Sequence, residues 1–261
     1  MMKAILKTDN LSIGYSAKSS KNVIASAINI SLSEGKLISL IGVNGIGKST
    51  LLRTISGIQK PLEGKVFFNN KDIRQFNSIE LAQHLSLVLT EKLPSSNLSV
   101  FELVALGRQP YTNWLGTLTT NDREKVDIAL KITESDTYAE RKHYEISDGQ
   151  MQKVLVARAL AQDTPLIILD EPGTHLDLQN KVSLFKLLKR LAHESGKCIL
   201  FSTHDIDMAI QLSDDMIIMQ ENSVVQATPQ EFIEDHTFNL LFKDEDILFD
   251  KEKVKFVFKN L

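Results

Sequence analysis

The stretch LISLIGVNGIGKSTLL, residues 37–52, constrains this chain more tightly than any other part of it. An apolar, strand-like run feeds a glycine-rich turn and then a helix that opens on Lys48, Ser49 and Thr50. Gly42, Gly47, Lys48 and Ser49 satisfy G-x-x-x-x-G-K-[ST]. In that pattern backbone N–H groups wrap phosphate oxygens, the lysine reaches the β/γ-phosphates and the hydroxyl is offered to Mg²⁺. A Cβ at Gly42, Gly45 or Gly47 would obstruct a positive φ or the close approach of backbone to anion. Gly57 stands where a helix C′ cap belongs, so a helix is expected from about 47 to 56, its positive end aimed at the phosphates. The plain alternative is a chance glycine-rich turn, and the strand–turn–helix context weighs against it.

A chain of 261 residues, 43 % hydrophobic and 24 % charged, has room for one sizeable domain or a core with a smaller lobe. Its net charge of −3 gives no reason to expect a nucleic-acid footprint, so no nucleic-acid partner is expected. The one cysteine, Cys198, lies in the apolar run KCILFS and reads as a buried structural thiol in a reducing compartment. Charge at Lys3, Lys7 and Asp9 with no long apolar run argues against a signal peptide. No window approaches a membrane span, so any role at a membrane would be played beside a membrane-embedded partner.

Residues 3–35 read as short strands, AILKT, LSIGY and VIASAINISL, and a further strand, KVFFNN, follows the phosphate-loop helix. Strands on both sides of that helix are what a nucleotide-binding α/β core requires. Tyr15 by itself reads as a half-buried strand aromatic. From Asn77 the texture turns helical, with SIELAQHLSLVL and then LSVFELVALGRQ beyond the turn at 94–97. Residues 90–146 lack a convincing strand and look like a helical lobe inserted into the core. Tyr111 and Trp114 are either an exposed contact patch or pins that hold their loop to the lobe.

Ser147 and Gln150 of ISDGQ form the S-x-x-Q capping box of a helix, leaving free N–H groups for solvent or an anion. Alone, that is only a good cap. Further on, LIILDEP is a run typical of a strand buried on both faces, ending in two adjacent carboxylates. Strand alternation would send Asp170 and Glu171 to opposite sides, giving them different jobs: Asp170 to hold Mg²⁺, Glu171 to orient or deprotonate water. A further strand, CILFSTH, brings His204 to the sheet edge where open α/β folds bind ligands, although a lone histidine there is more often a plain helix neighbour.

Taken in order, GVNGIGKST, ISDGQ, LIILDE, THLD and His204 resemble the motif set of ATP-binding cassette (ABC) transporter ATPases, across roughly residues 3–225. The resemblance implies a P-loop NTPase of the α/β class: a RecA-like core, an N-terminal antiparallel β subdomain and an inserted helical subdomain. The division expected is residues 1–89 and 147–226 as core, 90–146 as the helical subdomain with the Q-loop region, and 227–261 as a C-terminal helix and hairpin. It also implies a head-to-tail homodimer in which ATP lies between the P-loop of one copy and the ISDGQ helix of the other. Family roles then fall on Tyr15 as the ring against adenine and on Gly42, Asn44, Gly45, Gly47, Lys48, Ser49 and Thr50 as the phosphate loop. Ser49 and Asp170 fall on the Mg²⁺ side, and Glu171 and His204 are the catalytic pair. Ser147, Gly149, Gln150 and Asp177 would act across the dimer.

Some positions depart from the family. Asp148 stands where glycine is usual, so its carboxylate should face solvent or a nearby N–H rather than ATP. No glutamine ends the strand LSLVLTE, leaving Thr90 or Glu91 at the Q-loop position. Val43 replaces a proline, and 173–175 read Gly-Thr-His. The segment LSVFELVALGRQPYTNWLG resembles the lobe of importer ATPases for iron-siderophores, haem and cobalamin. That similarity implies integral-membrane permease subunits, indirectly a substrate-binding protein, and a cytoplasmic position on the inner face of the inner membrane. Rival readings are an ABC ATPase working without a permease, or a weakly hydrolysing ABC regulator. The tail reads as a helix from Thr228-Pro229 and a hairpin about 250–253, with packing or a lid as its default role.

Overall fold

The computed structural model describes residues 3–17, 20–89, 96–174, 176–221, 223–241 and 247–258. The chain opens with β1 (Ala4–Ala17), β2 (Ser20–Ile28), β3 (Ser31–Ser33) and β4 (Leu37–Ile41), then α1 (Lys48–Ile55), β5 (Glu63–Phe68), β6 (Lys71–Asp72), α2 (Ser78–Ala82) and β7 (Leu85–Val88). The middle carries α3 (Val100–Ala105), α4 (Thr120–Ile132), α5 (Asp148–Ala161) and β8 (Leu166–Leu169). There follow α6 (Leu178–Ser195), β9 (Cys198–Thr203), α7 (Ile206–Leu212), β10 (Asp215–Gln220), β11 (Ser223–Ala227), α8 (Pro229–Glu234), β12 (Ile247–Asp250) and β13 (Lys255–Phe258).

A six-stranded sheet in the order β11-β10-β4-β9-β8-β7 forms the centre, parallel throughout except for the β10/β11 hairpin. Its inner strands are apolar on both faces because both faces are covered: β4 and β8 are buried at every residue. One face packs α1 and the antiparallel sheet through Leu51, Leu52, Ile55, Leu6, Leu11 and Phe68. The other carries α6, α5 and the helical lobe, with Val154, Leu188, Phe185 and Val104 in one continuous core.

The antiparallel sheet has β1 as its shared member. The two short strands expected at its start are one strand of 14 residues, kinked by register shifts around Leu11 to Ile13 and a left-handed Asn10. Below the kink it pairs with β3 and β5, and above it with β2, so a single chain segment serves two partners. The segment SIELAQHLSLVL is helical only through Ala82. Leu85 and Val88 then enter the central sheet beside β8, where parallel pairing and burial override the helical texture of the sequence.

Among the described residues of 90–146 there is no strand, only the isolated bridge between Ser99 and Lys142. Ser99 and Thr119 open α3 and α4 with reciprocal capping boxes. α5 lies against both, so the helix that starts at Ser147 closes the lobe onto the sheet. The tail packs Phe232 and Phe238, both fully buried, with Phe249 against Ile41, Met216 and Ile218 of the sheet. Cys198 is buried within β9, and burial pushes its thiol pKa upward. Among the described residues no helix is long and apolar enough to cross a membrane.

Candidate nucleotide site

The turn between β4 and α1 sits at the carboxyl edge of the central sheet. Gly47 is the N-cap, left-handed at φ 112 and without a side-chain cap, so the first-turn N–H groups remain for an outside acceptor. A Cβ at Gly47 would lie 2.4 Å from Ile24 Cγ2. Gly42 is demanded for a different reason: its φ is ordinary, but a Cβ would come within 2.6 Å of the Met219 carbonyl on β10. Ser56 closes α1, with Gly57 at φ 78 behind it.

Lys48, only 6 % exposed, folds over this turn. Its ammonium donates to the Gly42 carbonyl at 2.9 Å and the Val43 carbonyl at 3.4 Å, and lies 3.8 Å from Glu171 Oε1. Burial lowers its pKa, while Glu171 and Asp170 pull the other way. The Tyr15 hydroxyl is 3.1 Å from Thr50 Oγ1 and the residue is 54 % exposed, so it is the half-buried strand aromatic expected, tethered to α1 at its hydroxyl end. Tyr15, Asn44, Gly45, Gly47, Lys48, Ser49, Thr50 and Glu171 share one open cavity of about 310 Å³.

The two carboxylates differ for a reason other than strand alternation, because β8 ends at Leu169 before either is reached. Asp170 is 4 % exposed and accepts from Ser202 Oγ at 2.6 Å. Glu171 has φ 48, in the left-handed region, and its N–H donates to the same Ser202 Oγ at 2.8 Å. Its carboxylate accepts from Thr174 Oγ1 at 3.1 Å and stands 3.9 Å from Nδ1 of the half-exposed His204. Both acids remain near Lys48.

Ser147 caps α5 as expected: Gln150 N–H donates to Ser147 Oγ at 3.3 Å and Ser147 N–H to Gln150 Oε1 at 3.0 Å. The Gln150 carbonyl is thus engaged within its own helix. Ser147 and Asp148 are exposed, and none of Ser147, Gly149, Gln150 and Asp177 lines the phosphate-loop cavity. Asp177 caps α6 through Asn180, whose side chain packs on Gly149, where a Cβ would meet it at 3.1 Å. Residues 147–150 and Asp177 are therefore physically linked within one chain. Thr90 and Glu91 lie outside the described residues. Ser202, Thr174 and Asn180 were given no role by the sequence motifs, and no local signal marks Ser202, whose partners lie 31 and 32 residues away.

The residues fit Mg²⁺ as a hard, oxygen-seeking cation: a hydroxyl at Ser49 and a buried carboxylate at Asp170 are its preferred donor types. Among the described residues there is no cluster of three His, Cys, Asp or Glu.

A bare-ended helix behind a glycine turn, a buried lysine over it and paired acids just past the end of β8 define a P-loop nucleotide hydrolase core. The chain belongs to the ABC transporter family, whose model matches residues 25–174. It is 39 % identical over 221 residues to the iron(3+)-hydroxamate import ATP-binding protein FhuC of Bacillus subtilis, covering 85 % of this chain and 81 % of that one. The achromobactin transport ATP-binding protein CbrD of Dickeya dadantii is 36 % identical over 233 residues, covering 89 % and 85 %. Among solved structures, the dimeric post-hydrolysis state of the ATP-binding cassette MJ0796 bound to ADP and Pi superposes with TM-score 0.74 at 28 % identity, covering 86 % and 98 %. The protein is the ATP-hydrolysing subunit of an ABC transporter, and ATP and ADP are its nucleotides.

Proposed function

We propose that two copies of this chain bind Mg-ATP head to tail, drive permease subunits and import an iron chelate such as a siderophore or haem, or a cobalamin-like metal complex. The observation that carries the reading is the separation of two anion-seeking helix starts in one chain. The α1 start opens into the phosphate-loop cavity, while the Ser147-capped start of α5 is exposed and belongs to no part of it. A second copy, facing the first, supplies each cavity with the missing half.

In this arrangement the Tyr15 ring lies against adenine, the turn N–H groups and Lys48 hold the phosphates, and Ser147 and Gly149 donate to the γ-phosphate of the partner's ATP. Glu171 accepts a proton from the attacking water, and its left-handed backbone and Thr174 hold the carboxylate where His204 also reaches. Ser49 and Asp170 would hold Mg²⁺, which supplies charge neutralisation on the phosphates when bound. Asp177, fixed as the α6 cap and tied to Gly149 through Asn180, couples one site to the other.

The lobe supports the permease assignment. A groove of about 620 Å³, with Phe101, Leu106, Gln109 and Arg123 among its walls, opens beside the exposed Trp114 and Leu115. Its size suits a short helix from a membrane subunit, which would hold the chain on the cytoplasmic face of the inner membrane. The names of the relatives favour iron chelates as cargo.

Mixing tests the dimer. Lys48→Ala and Ser147→Arg chains combined should recover one nucleotide-trapping site per dimer, because one site then carries both lesions and the other neither. No recovery means that each site is built within one chain. Loss of uptake of a labelled ferric siderophore, haem or cobalamin on deleting the gene is expected; unchanged uptake of all three rejects the cargo assignment.

A further inference from the structure

We propose that Ser202 is a positioning residue of the hydrolytic centre, in which one buried hydroxyl sets the geometry of both acids. The proposal rests on the reading that Asp170 and Glu171 serve metal and water. Register explains how a residue so distant in sequence arrives there. In the parallel pair β8/β9, Leu169 is opposite Phe201, so the chain leaving β8 carries Asp170 alongside Ser202. Every residue of β9 is buried, and Ser202 is fully so, which means that its hydroxyl has only protein partners within reach.

It has two, and their polarity is fixed without locating any hydrogen. The Glu171 N–H, at 2.8 Å, can only donate, so Ser202 Oγ accepts there. The hydroxyl owns a single proton, which is then free for Asp170 Oδ1 at 2.6 Å, a distance typical of a hydroxyl bonded to a charged carboxylate. Ser202 thus orients the metal-side acid through its oxygen and the water-side acid through its backbone. The second bond matters because Glu171 stands at φ 48, which a residue with a Cβ rarely adopts. Holding that N–H against the sheet keeps the turn in place, and the turn carries the carboxylate to Thr174, Lys48 and His204. Thr203, the next residue, does a different job, accepting from the Asp205 N–H at 3.0 Å.

A merely structural hydroxyl has the same burial, so the test needs a contrast. Ser39 provides it: it is fully buried in the neighbouring β4, and its hydroxyl has no hydrogen-bond partner among the described residues. Ser202→Ala and Ser39→Ala are compared in the full-length protein for turnover, ATP affinity without metal, and Mn²⁺ binding to the nucleotide-loaded protein by electron paramagnetic resonance. Loss of an outer-shell partner typically costs about 10- to 100-fold in metal affinity or activity, and a loss in that range is expected for Ser202→Ala in both kcat and Mn²⁺ affinity. Metal-free ATP affinity should stay at the wild-type value, Ser39→Ala should leave all three readouts unchanged, and Ser202→Thr, which keeps the hydroxyl, should recover metal affinity.

Wild-type Mn²⁺ affinity and kcat in Ser202→Ala overturn the proposal, as does an equal fall in all three readouts. If Ser202→Ala does not fold, Ser202→Cys, of similar shape but a weak donor, carries the same comparison. Glu171→Gln assayed in parallel separates the two levels. Full turnover in that variant removes the underlying reading, whereas lost turnover there with an unaffected Ser202→Ala removes only the role of Ser202.

Discussion

Replacing Arg108 by methionine should unseat the lobe from α5. The guanidinium is 4 % exposed: its Nε donates to Asp122 Oδ1 at 2.9 Å, its terminal nitrogen to the Ala161 carbonyl at 2.8 Å, and its plane lies 4.0 Å from the Tyr111 ring centre. Methionine keeps the apolar stem and removes all three contacts. Removing one partner of a buried ion pair costs about 3 to 5 kcal/mol. The low end applies because Thr119 still donates its N–H and hydroxyl to Asp122 Oδ2. With the Ala161 carbonyl also losing its donor, the sum is about 3.5 to 4.5 kcal/mol, or roughly a 7 to 18 °C fall in Tm for a chain of this size. Scanning calorimetry at neutral pH reads it, and Asp122→Asn in the same chain should return part of the loss by removing the stranded charge. The Asp122 carboxyl is held below the usual carboxylate range, first by Thr119 and then by Arg108 against the cost of burial. A depressed folded pKa contributes stability above the unfolded value that is lost as pH falls through the folded one. The gap between wild type and Arg108→Met should therefore narrow in acid. A Tm change below about 3 °C at neutral pH would refute the argument, since even a loss of about 1.5 kcal/mol would produce about that much.

Other perturbations address the site and the tail. Lys48→Ala removes a charge-assisted contact worth about 1.5 to 3 kcal/mol, so calorimetry should show ATP binding roughly 10- to 150-fold weaker. Glu171→Gln should retain ATP affinity and stall as a dimer with ATP and Mg²⁺; gel filtration that shows only monomer speaks against it. Phe238→Ala empties the centre of the tail cluster, where Phe249 lies 4.7 Å away ring to ring, and should cost about 3 to 5 kcal/mol by denaturant titration.

The phosphate loop, the Ser147 cap and the strand leading to Asp170 were legible because each is written locally: glycine spacing, an S-x-x-Q box, an unbroken apolar run. What stayed hidden depends on distant partners. Ser202 looks like any serine until parallel register sets it beside Asp170. The importer-like GRQPY segment gave no hint of its mechanics: Gly107 is required because a Cβ would meet the Arg158 carbonyl on α5 at 2.2 Å, and Arg108 because Asp122 and α5 await it. Tyr111 turns out to lie against that guanidinium, while Trp114 is 91 % exposed, so two neighbours that looked alike have separate duties. The stretch after α2 reads as helix because its apolar spacing fits one, and only the open flank of β8 draws it into a strand.

The order of strands also bears on how the protein is born. β4, made early, is hydrogen-bonded on one side to β9 and on the other to β10, both made late. Until a ribosome has released β9, which ends at Thr203, β4 has no neighbouring strand, and only once β10 follows is the strand beneath the lysine turn paired on both sides, so a nascent chain that carries every letter of the phosphate-loop motif still lacks the sheet that holds it.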